Sequence, residues 1–321
     1  MRKGVKHDVR ILLFHDNVQR IVDYLEKYPE TKNIVDVICC GHEHVIYIGN
    51  SQRKDYNIPI IQMGSDGKGL GKVEILFDKI TNKCIDSSYN VLPIDTTQPQ
   101  LLEIDTLNKW VSSISGPIFK QIIGKVQDYE LNGLSTNIRN FETNIGNLVA
   151  DSYLYTGRTT LSNVSSGNIC SIVNSGSIRN NSIIPVNTEI SVETVYTIAP
   201  FSNLLVTIEV VGRTALNQLL SYIATTSRAN KGRGAWLQIS QNIEFNYKTM
   251  TFSLKSENVS ETEIFYCILP DFLANGNDGY TELQKYKQLK LDIPVQTSLV
   301  NYIKSINGNI SYPNTNTRIL Q

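Results

Sequence analysis

Short apolar runs alternate with a helical spacing at the start of the chain. Residues 9–14 are apolar except for Arg10 and stop at His15, the pattern of a buried strand that runs into a loop. Ile21, Tyr24 and Leu25 then recur at helical spacing within residues 17–28. A second apolar run, residues 34–40, stops at Gly41-His42-Glu43-His44. Strand, helix and strand, with polar residues at both carboxyl ends, predict an α/β unit. β-rich runs follow at 45–49, 59–63 and 72–78, separated by Gly, Asn and Asp. Residues 93–100 are polar and flanked by prolines, which predicts a linker, and the amphipathic stretch 100–113 predicts a connecting helix.

The second half has its own α/β pattern. Thr143 is placed to cap a helix whose apolar face is Ile145, Leu148 and Val149. Residues 169–173 predict a strand that runs into Asn174-Ser175-Gly176-Ser177-Ile178-Arg179. Residues 204–211 are strand-like, and after Gly212 the residues Leu216, Leu219, Leu220 and Ile223 fall at i, i+3, i+4 and i+7. Another strand, 263–269, leads into Pro270-Asp271-Phe272-Leu273-Ala274-Asn275-Gly276-Asn277-Asp278-Gly279-Tyr280. A last helix carries Val295, Leu299, Tyr302 and Ile303.

Composition narrows the classes. At 321 residues and roughly 100–200 per domain, two domains are expected, and 41% apolar residues suffice for real cores. Thirty basic residues balance thirty acidic ones, which argues against a nucleic-acid partner, because such binding needs a basic face. No apolar stretch approaches ~20 residues, so no transmembrane segment and no secretory leader is read here. The cysteines are odd in number, five, and form no CxxC pair, so neither a disulfide framework nor a cysteine zinc site is indicated. Cys39, Cys40, Cys170 and Cys267 lie in apolar runs and are expected to be buried. Sequons at Asn163, Asn180, Asn258 and Asn309 match what chance gives for a chain so rich in Asn, Ser and Thr.

Three of the four histidines sit at predicted strand ends. If the first two strands are parallel, His15, His42 and His44 converge at the carboxyl edge of one sheet, where neutral imidazoles suit Zn, Mn, Fe or Co. The competing reading is ordinary polar residues at strand ends. His7 has no such neighbour and is expected at the surface, and Asp16 and Glu43 are read as supporting or surface carboxylates.

These residues have a familiar arrangement. His15, then Asp36-Val37-Ile38-Cys39-Cys40-Gly41-His42-Glu43-His44, Pro59-Ile60-Ile61-Gln62-Met63-Gly64 and Gly67-Lys68-Gly69-Leu70-Gly71-Lys72, resemble the 5'-nucleotidase and apyrase family of metallophosphoesterases. Glu142-Thr143-Asn144-Ile145-Gly146-Asn147-Leu148-Val149-Ala150-Asp151 resembles the start of a helix conserved in that family. Asn174 to Arg179 resembles its Asn-Gly-Gly-Gly-Ile-Arg, Pro200-Phe201-Ser202-Asn203 its Pro-Phe-Gly-Asn, and the run from Phe272 to Tyr280 its Phe-x-x-x-Gly-Gly-Asp-Gly-Tyr.

The resemblance implies an α/β (α+β) protein. Residues 1–97 would be part of a metallophosphoesterase sandwich domain, 98–118 a linker helix, and 119–321 a C-terminal nucleoside-binding α/β domain. It also implies hydrolysis of nucleoside phosphates by a water activated on divalent metal (Zn, Mn, Co or Mg). A complete member holds two ions, with His15 and His42 on one and His44 on the other. The family's Asp-x-His, Gly-Asp and Gly-Asn-His-Glu motifs lie upstream of the equivalent of His15, which only fourteen residues precede here. The chain therefore reads as truncated at its N-terminus: a fragment, an incomplete gene model or a shortened protein. Secretion or a cell-surface location is what the resemblance suggests.

The second-half motifs carry binding chemistry. Phe201 and Phe272 match the residues that clamp the base in the family; taken alone, each also reads as a core phenylalanine. Asp278 suits two ribose hydroxyls, Asn174 a base edge and Arg179 a phosphate. Arg139 is a second candidate for the phosphate. Ser175 and Ser177 stand where the family has glycines, with Gly176 retained. Gly232-Arg233-Gly234 is read as a loop without a role. The expected function is a 5'-nucleotidase-like phosphohydrolase acting on AMP-like substrates; the alternative is a nucleotide- or nucleoside-binding chain without catalysis.

Overall fold

The computed structural model describes residues 9–50, 58–65, 67–81, 83–95, 97, 99, 101–254, 260–313 and 317–320. The chain divides into two compact units, Met1–Leu107 and Asn108–Gln321.

In the first unit, β1 (Ile11–His15), α1 (Val18–Lys27), β2 (Val37–Gly41), β3 (Ile46–Asn50) and β4 (Pro59–Met63) form a helix-backed sheet of order β1-β2-β4-β3. β1 and β2 are parallel, with Ile11 opposite Val37 and His15 opposite Gly41. α1 starts where the Asn17 side chain accepts the Gln19 N–H at 2.7 Å. It buries Val18, Ile21 and Leu25 against Ile38, Ile58 and Ile60, while Tyr24 turns to solvent. β2 begins at Val37 rather than at residue 34, because the chain from Pro29 to Asn33 winds into a tight 3₁₀ turn. β5 (Gly69–Asp78) and β6 (Lys83–Pro93) make an antiparallel hairpin, of which the hydrophobic pattern showed only the first strand. α2 (Leu102–Phe119) outruns the amphipathic stretch 100–113, crosses the division between the units and buries no residue.

The second unit follows with β7 (Ile122–Val126), α3 (Asn144–Thr160), β8 (Ile169–Asn174), α4 (Val192–Ile198), β9 (Leu204–Val211), α5 (Arg213–Ala229), β10 (Leu237–Ile239), β11 (Ile243–Asn246), β12 (Thr251–Leu254), β13 (Ile264–Pro270), β14 (Lys287–Pro294), α6 (Val295–Ser305) and β15 (Ile319–Leu320). Its central sheet has the order β10-β8-β13-β9-β14. β8 and β13 are parallel with Cys170 opposite Cys267, and β9 is antiparallel to β13 with Leu205 opposite Pro270.

Side chains alternate between two cores, one on each face of this sheet. Ile169, Val173, Leu205 and Ile268 join α3 and α6; Ile172, Val206, Ile208 and Leu269 join α5. Covered on both faces, β8, β9 and β13 read as nearly continuous apolar runs, whereas the edge strand β14 is largely exposed. Cys170 and Cys267 are buried as expected, whereas Cys39 and Cys40 are only half-buried, since β2 lies in the thinner first unit.

Polar side chains lock α3 in place. Thr143 caps it by accepting the Gly146 N–H at 3.2 Å. The buried Gln238 on β10 accepts the Thr143 N–H at 3.0 Å and donates to the carbonyls of Ile138 and Phe141, each at 2.8 Å. Gly146 is required there, because a Cβ would lie 2.4 Å from the Gln238 Oε1. Glu142 accepts the N–H groups of Arg318 and Ile319, each at 2.8 Å, and so holds β15 against β11. Arg318 forms a bidentate pair with Asp151 at 2.8 Å and 2.8 Å, and Tyr312 adds a hydroxyl donor to the same carboxylate at 3.0 Å. All three groups are buried. Among the described residues no helix is long and apolar enough to cross a membrane.

Removing one member of a buried pair strands the other charge. Arg318→Met is expected to cost about 3–5 kcal/mol of stability in urea denaturation; a loss below about 1 kcal/mol would show that Asp151 finds water or another partner.

Candidate functional site

The topology brings three chain segments to one edge of the central sheet. β8 ends at Asn174, and its parallel neighbour β13 ends at Pro270, where the helical turn Asp271–Ala274 begins. β9, antiparallel to β13, starts at the same edge, so the Pro200-Phe201-Ser202-Asn203 segment before it lies there too. Ligands of open α/β sheets bind outside the carboxyl ends of strands.

Asn174 donates its amide to Asp278 at 3.0 Å, while its Oδ1 is buried with no hydrogen-bond partner among the described residues. Asp278 sits at φ 56° between Gly276 and Gly279, both also at positive φ, a backbone that turns its carboxylate inward. Burial raises the Asp278 pKa above the usual carboxylate range, against the opposing pull of the Asn174 hydrogen bond and the charges of Arg179 and Arg139. Arg179 in turn titrates below the usual arginine range, through desolvation first and the neighbouring Arg139 cation second, with Asp278 acting the other way. Asn174, Asp278, Arg139 and Arg179 therefore form one electrostatic cluster. Arg179 also stacks its guanidinium 5.1 Å from the centroid of the Phe201 ring.

Phe201 is 42% exposed and Phe272 37% exposed, so neither is a core residue. Gln296 on α6 supports the first loop, donating to the carbonyl of Phe201 at 2.8 Å. Asn277 holds the second, donating to the carbonyl of Phe272 at 2.9 Å. A side-chain hydrogen bond from Asn203 to Asp271, 2.9 Å long, joins the two loops.

The turn after Asn174 stays tight despite its serines. Ser177 donates to the carbonyl of Asn174 at 2.7 Å, and Ser175 to those of Arg233 and Gly234, each at 3.2 Å. The Gly176 N–H meets the Gly234 carbonyl at 2.7 Å, and a Cβ on Gly176 would lie 2.9 Å from the Gly234 Cα. The Gly232-Arg233-Gly234 loop thus has a role that its sequence did not suggest. Gly232 donates to the carbonyl of Arg139 at 2.7 Å, and the Tyr280 hydroxyl donates to the carbonyl of Ala235 at 2.8 Å. This loop ties the Arg139, Asn174 and Asp278 segments together. Gln238, Asn203, Asp271 and Gln296 were also missed as supports, although Asn203 and Asp271 stand in or beside the motifs quoted above.

In the first unit, His15 and His42 meet with ring centroids 5.4 Å apart. Gly41 makes room: a Cβ there would lie 3.0 Å from His15 Nδ1. His42 and His44 both have positive φ, 98° and 58°, and all three imidazoles are exposed. Glu43 between them faces α1 instead, accepting the Asn17 amide and, at 3.0 Å, the Val18 N–H. Asp16 has its pKa lowered, first by the Asn17 N–H and then by Arg20. Among the described residues no three His, Cys, Asp or Glu side chains gather as a metal site. Two adjacent imidazoles fit part of a divalent centre and not a complete one. His7 lies outside the described residues.

Comparison with known proteins agrees with this architecture. The family profile described as "5'-nucleotidase, C-terminal domain" matches residues 122–285. A 5'-nucleotidase of Diplobatis ommata is 26% identical, with 99% of this chain and 60% of the relative covered. A snake venom 5'-nucleotidase of Crotalus adamanteus is 28% identical, with 78% and 47% covered. This chain thus spans about half to three fifths of the length of these relatives. A solved 5'-nucleotidase precursor from Thermus thermophilus shares the fold at a TM-score of 0.62 and 20% identity, covering 94% of this chain and 66% of that one. Every residue gathered at the sheet edge falls inside the family match, and the chain belongs to the 5'-nucleotidase family.

Proposed function

We propose that the second unit recognises a nucleoside phosphate for a 5'-nucleotidase-like phosphohydrolase. The observation that carries this reading is the single sheet edge at which two exposed phenylalanines stand with the cluster of Asn174, Asp278, Arg139 and Arg179. The base stacks between Phe201 and Phe272, at roughly 1–3 kcal/mol for an aromatic contact. The Oδ1 of Asn174, unpaired among the described residues, accepts a hydrogen from the base edge, and Asp278 accepts from the ribose hydroxyls. Arg179, with Arg139 beside it, meets the phosphate charge through planar N–H donors.

His15 and His42, with His44, are this chain's contribution to the divalent centre of the family, where a metal (Zn, Mn, Co or Mg) lowers the pKa of a bound water and polarises the phosphoryl group. The described residues do not complete that centre, so no hydrolytic step is assigned to them. The same observation favours a second reading, nucleotide binding without turnover. The venom relative points to a secreted setting for this chain.

Calorimetric titration with AMP, and phosphate release with added divalent metal, separate these readings. AMP binding is expected in both, release only in the first, and no binding would end both. Phe272→Ala is expected to weaken AMP binding roughly 5- to 150-fold, and in a form that turns over to raise KM more than it lowers kcat; unchanged affinity would remove the ring from the site.

The pH dependence has a defined sign. The Asp278 pKa is raised, so its carboxylate protonates at a higher pH than a free aspartate does, near 3.9. AMP affinity is expected to fall as pH drops through that raised pKa, and Asp278→Asn to abolish this dependence. For stability the sign is opposite: the contribution of the protonated group is lost as pH rises through the same pKa. An affinity profile identical in both proteins would contradict the sugar-binding role.

A further inference from the structure

The hydrogen bond between Asn203 and Asp271 joins the two loops that carry the aromatic rings. Resting on the base-stacking reading above, we propose that this bond sets the width of the slot between Phe201 and Phe272, and that Asn203 and Asp271 are positioning residues for the base.

Both rings keep a substantial exposed face toward the slot between the two loops. Beside Phe201 lies a cavity of only about 10 Å³, lined by Tyr153, Ser177, Asn203, Pro270 and Val295. Two anchors of the first loop come from α6, where Gln296 donates to the carbonyl of Phe201 at 2.8 Å and Val295 donates to the carbonyl of Asn203 at 3.1 Å; the Arg179 guanidinium, 5.1 Å from the ring centroid, also contacts Phe201. These tie the loop to α6, while the pairing of Leu205 with Pro270 joins the strands behind the two loops.

Asp271 adds a direct side-chain restraint between the loops themselves. Its Oδ1 accepts the Asn203 amide at 2.9 Å and the backbone N–H of Phe272 at 2.8 Å. Asn203 follows Phe201 by two residues and itself donates its N–H to the carbonyl of Phe201 at 2.8 Å. One carboxylate oxygen thus reaches the backbone of both ring-bearing residues through at most one intervening side chain. A flat heterocycle contacting a ring on each face needs a slot of roughly 7 Å, twice a van der Waals contact. Hydrogen bonds to charged acceptors are among the stronger ones, which suits a restraint that must hold such a gap.

The test is calorimetric titration of the whole chain with AMP and with ribose 5-phosphate, which lacks the base. Asn203→Ala and Asp271→Ala are each expected to raise the Kd for AMP about tenfold, the effect of losing a charge-assisted hydrogen bond. The Kd for ribose 5-phosphate should stay within about twofold, because the sugar and phosphate groups lie outside the bond. The double variant should be no worse than either single one, and Asp271→Asn, which keeps an acceptor at the same place, should retain most of the wild-type affinity. An alanine variant at either position that keeps the wild-type preference for AMP would overturn the positioning role, as would equal losses for both ligands or additive losses in the double variant. If the wild-type chain itself binds AMP no better than ribose 5-phosphate, base recognition falls and the positioning role with it.

Discussion

The parallel pairing of β8 with β13 is the constraint from which the candidate site follows. With Cys170 opposite Cys267, both strands finish at one sheet edge, and antiparallel β9 begins there. That register places Asn174, the turn at Asp271–Ala274 and the Phe201 loop side by side. It is held by burial rather than by any one contact, because each strand sends alternate side chains into a core on either face. A slip of one residue would exchange the side chains packed in the two cores and misfit both. The edge is therefore fixed by hydrophobic patterning, and its chemistry is free to be polar.

Buried polar groups then position what the sheet cannot. Gln238 takes three backbone groups between residues 138 and 143, so the segment with Arg139 is sewn to β10 next to the end of β8. Glu142 in the same segment holds the C-terminal strand β15. Each of these side chains is satisfied by partners distant in sequence, and a half-satisfied network would cost more than an apolar core. The Gly232-Arg233-Gly234 loop works similarly through backbone groups, joining the Arg139 and Asn174 segments.

Much of this was legible in the sequence, and the exceptions have physical causes. The helix after Gly212 and the last helix followed directly from helical spacing: Leu216, Leu219, Leu220, Ile223, Val295, Leu299 and Ile303 are buried, while Tyr302 is half-buried and the polar Gln296 and Ser298 are buried beside them. β6 was not legible because both faces of a hairpin strand are largely open, so its polar and apolar residues follow no burial pattern. The length of α2 was hidden for the same reason: a helix that buries nothing has no stripe to mark its ends. The site residues were legible through motifs, since Asn174, Arg179, Phe201, Phe272 and Asp278 each stand in one. Gln238 and Gln296 were not, because a glutamine that bonds backbone groups about a hundred residues away leaves no local signal. The histidines lie between these extremes. Strand logic brought His15 beside His42, while the backbone at His42 and His44, and the turning of Glu43 toward α1, were beyond pattern reasoning.

A crystal structure of the chain grown with AMP tests the central claim most directly. The account predicts the adenine ring between Phe201 and Phe272, with its ribose hydroxyls on Asp278. Electron density for the nucleotide at any other place, or with the base outside the two rings, would contradict it.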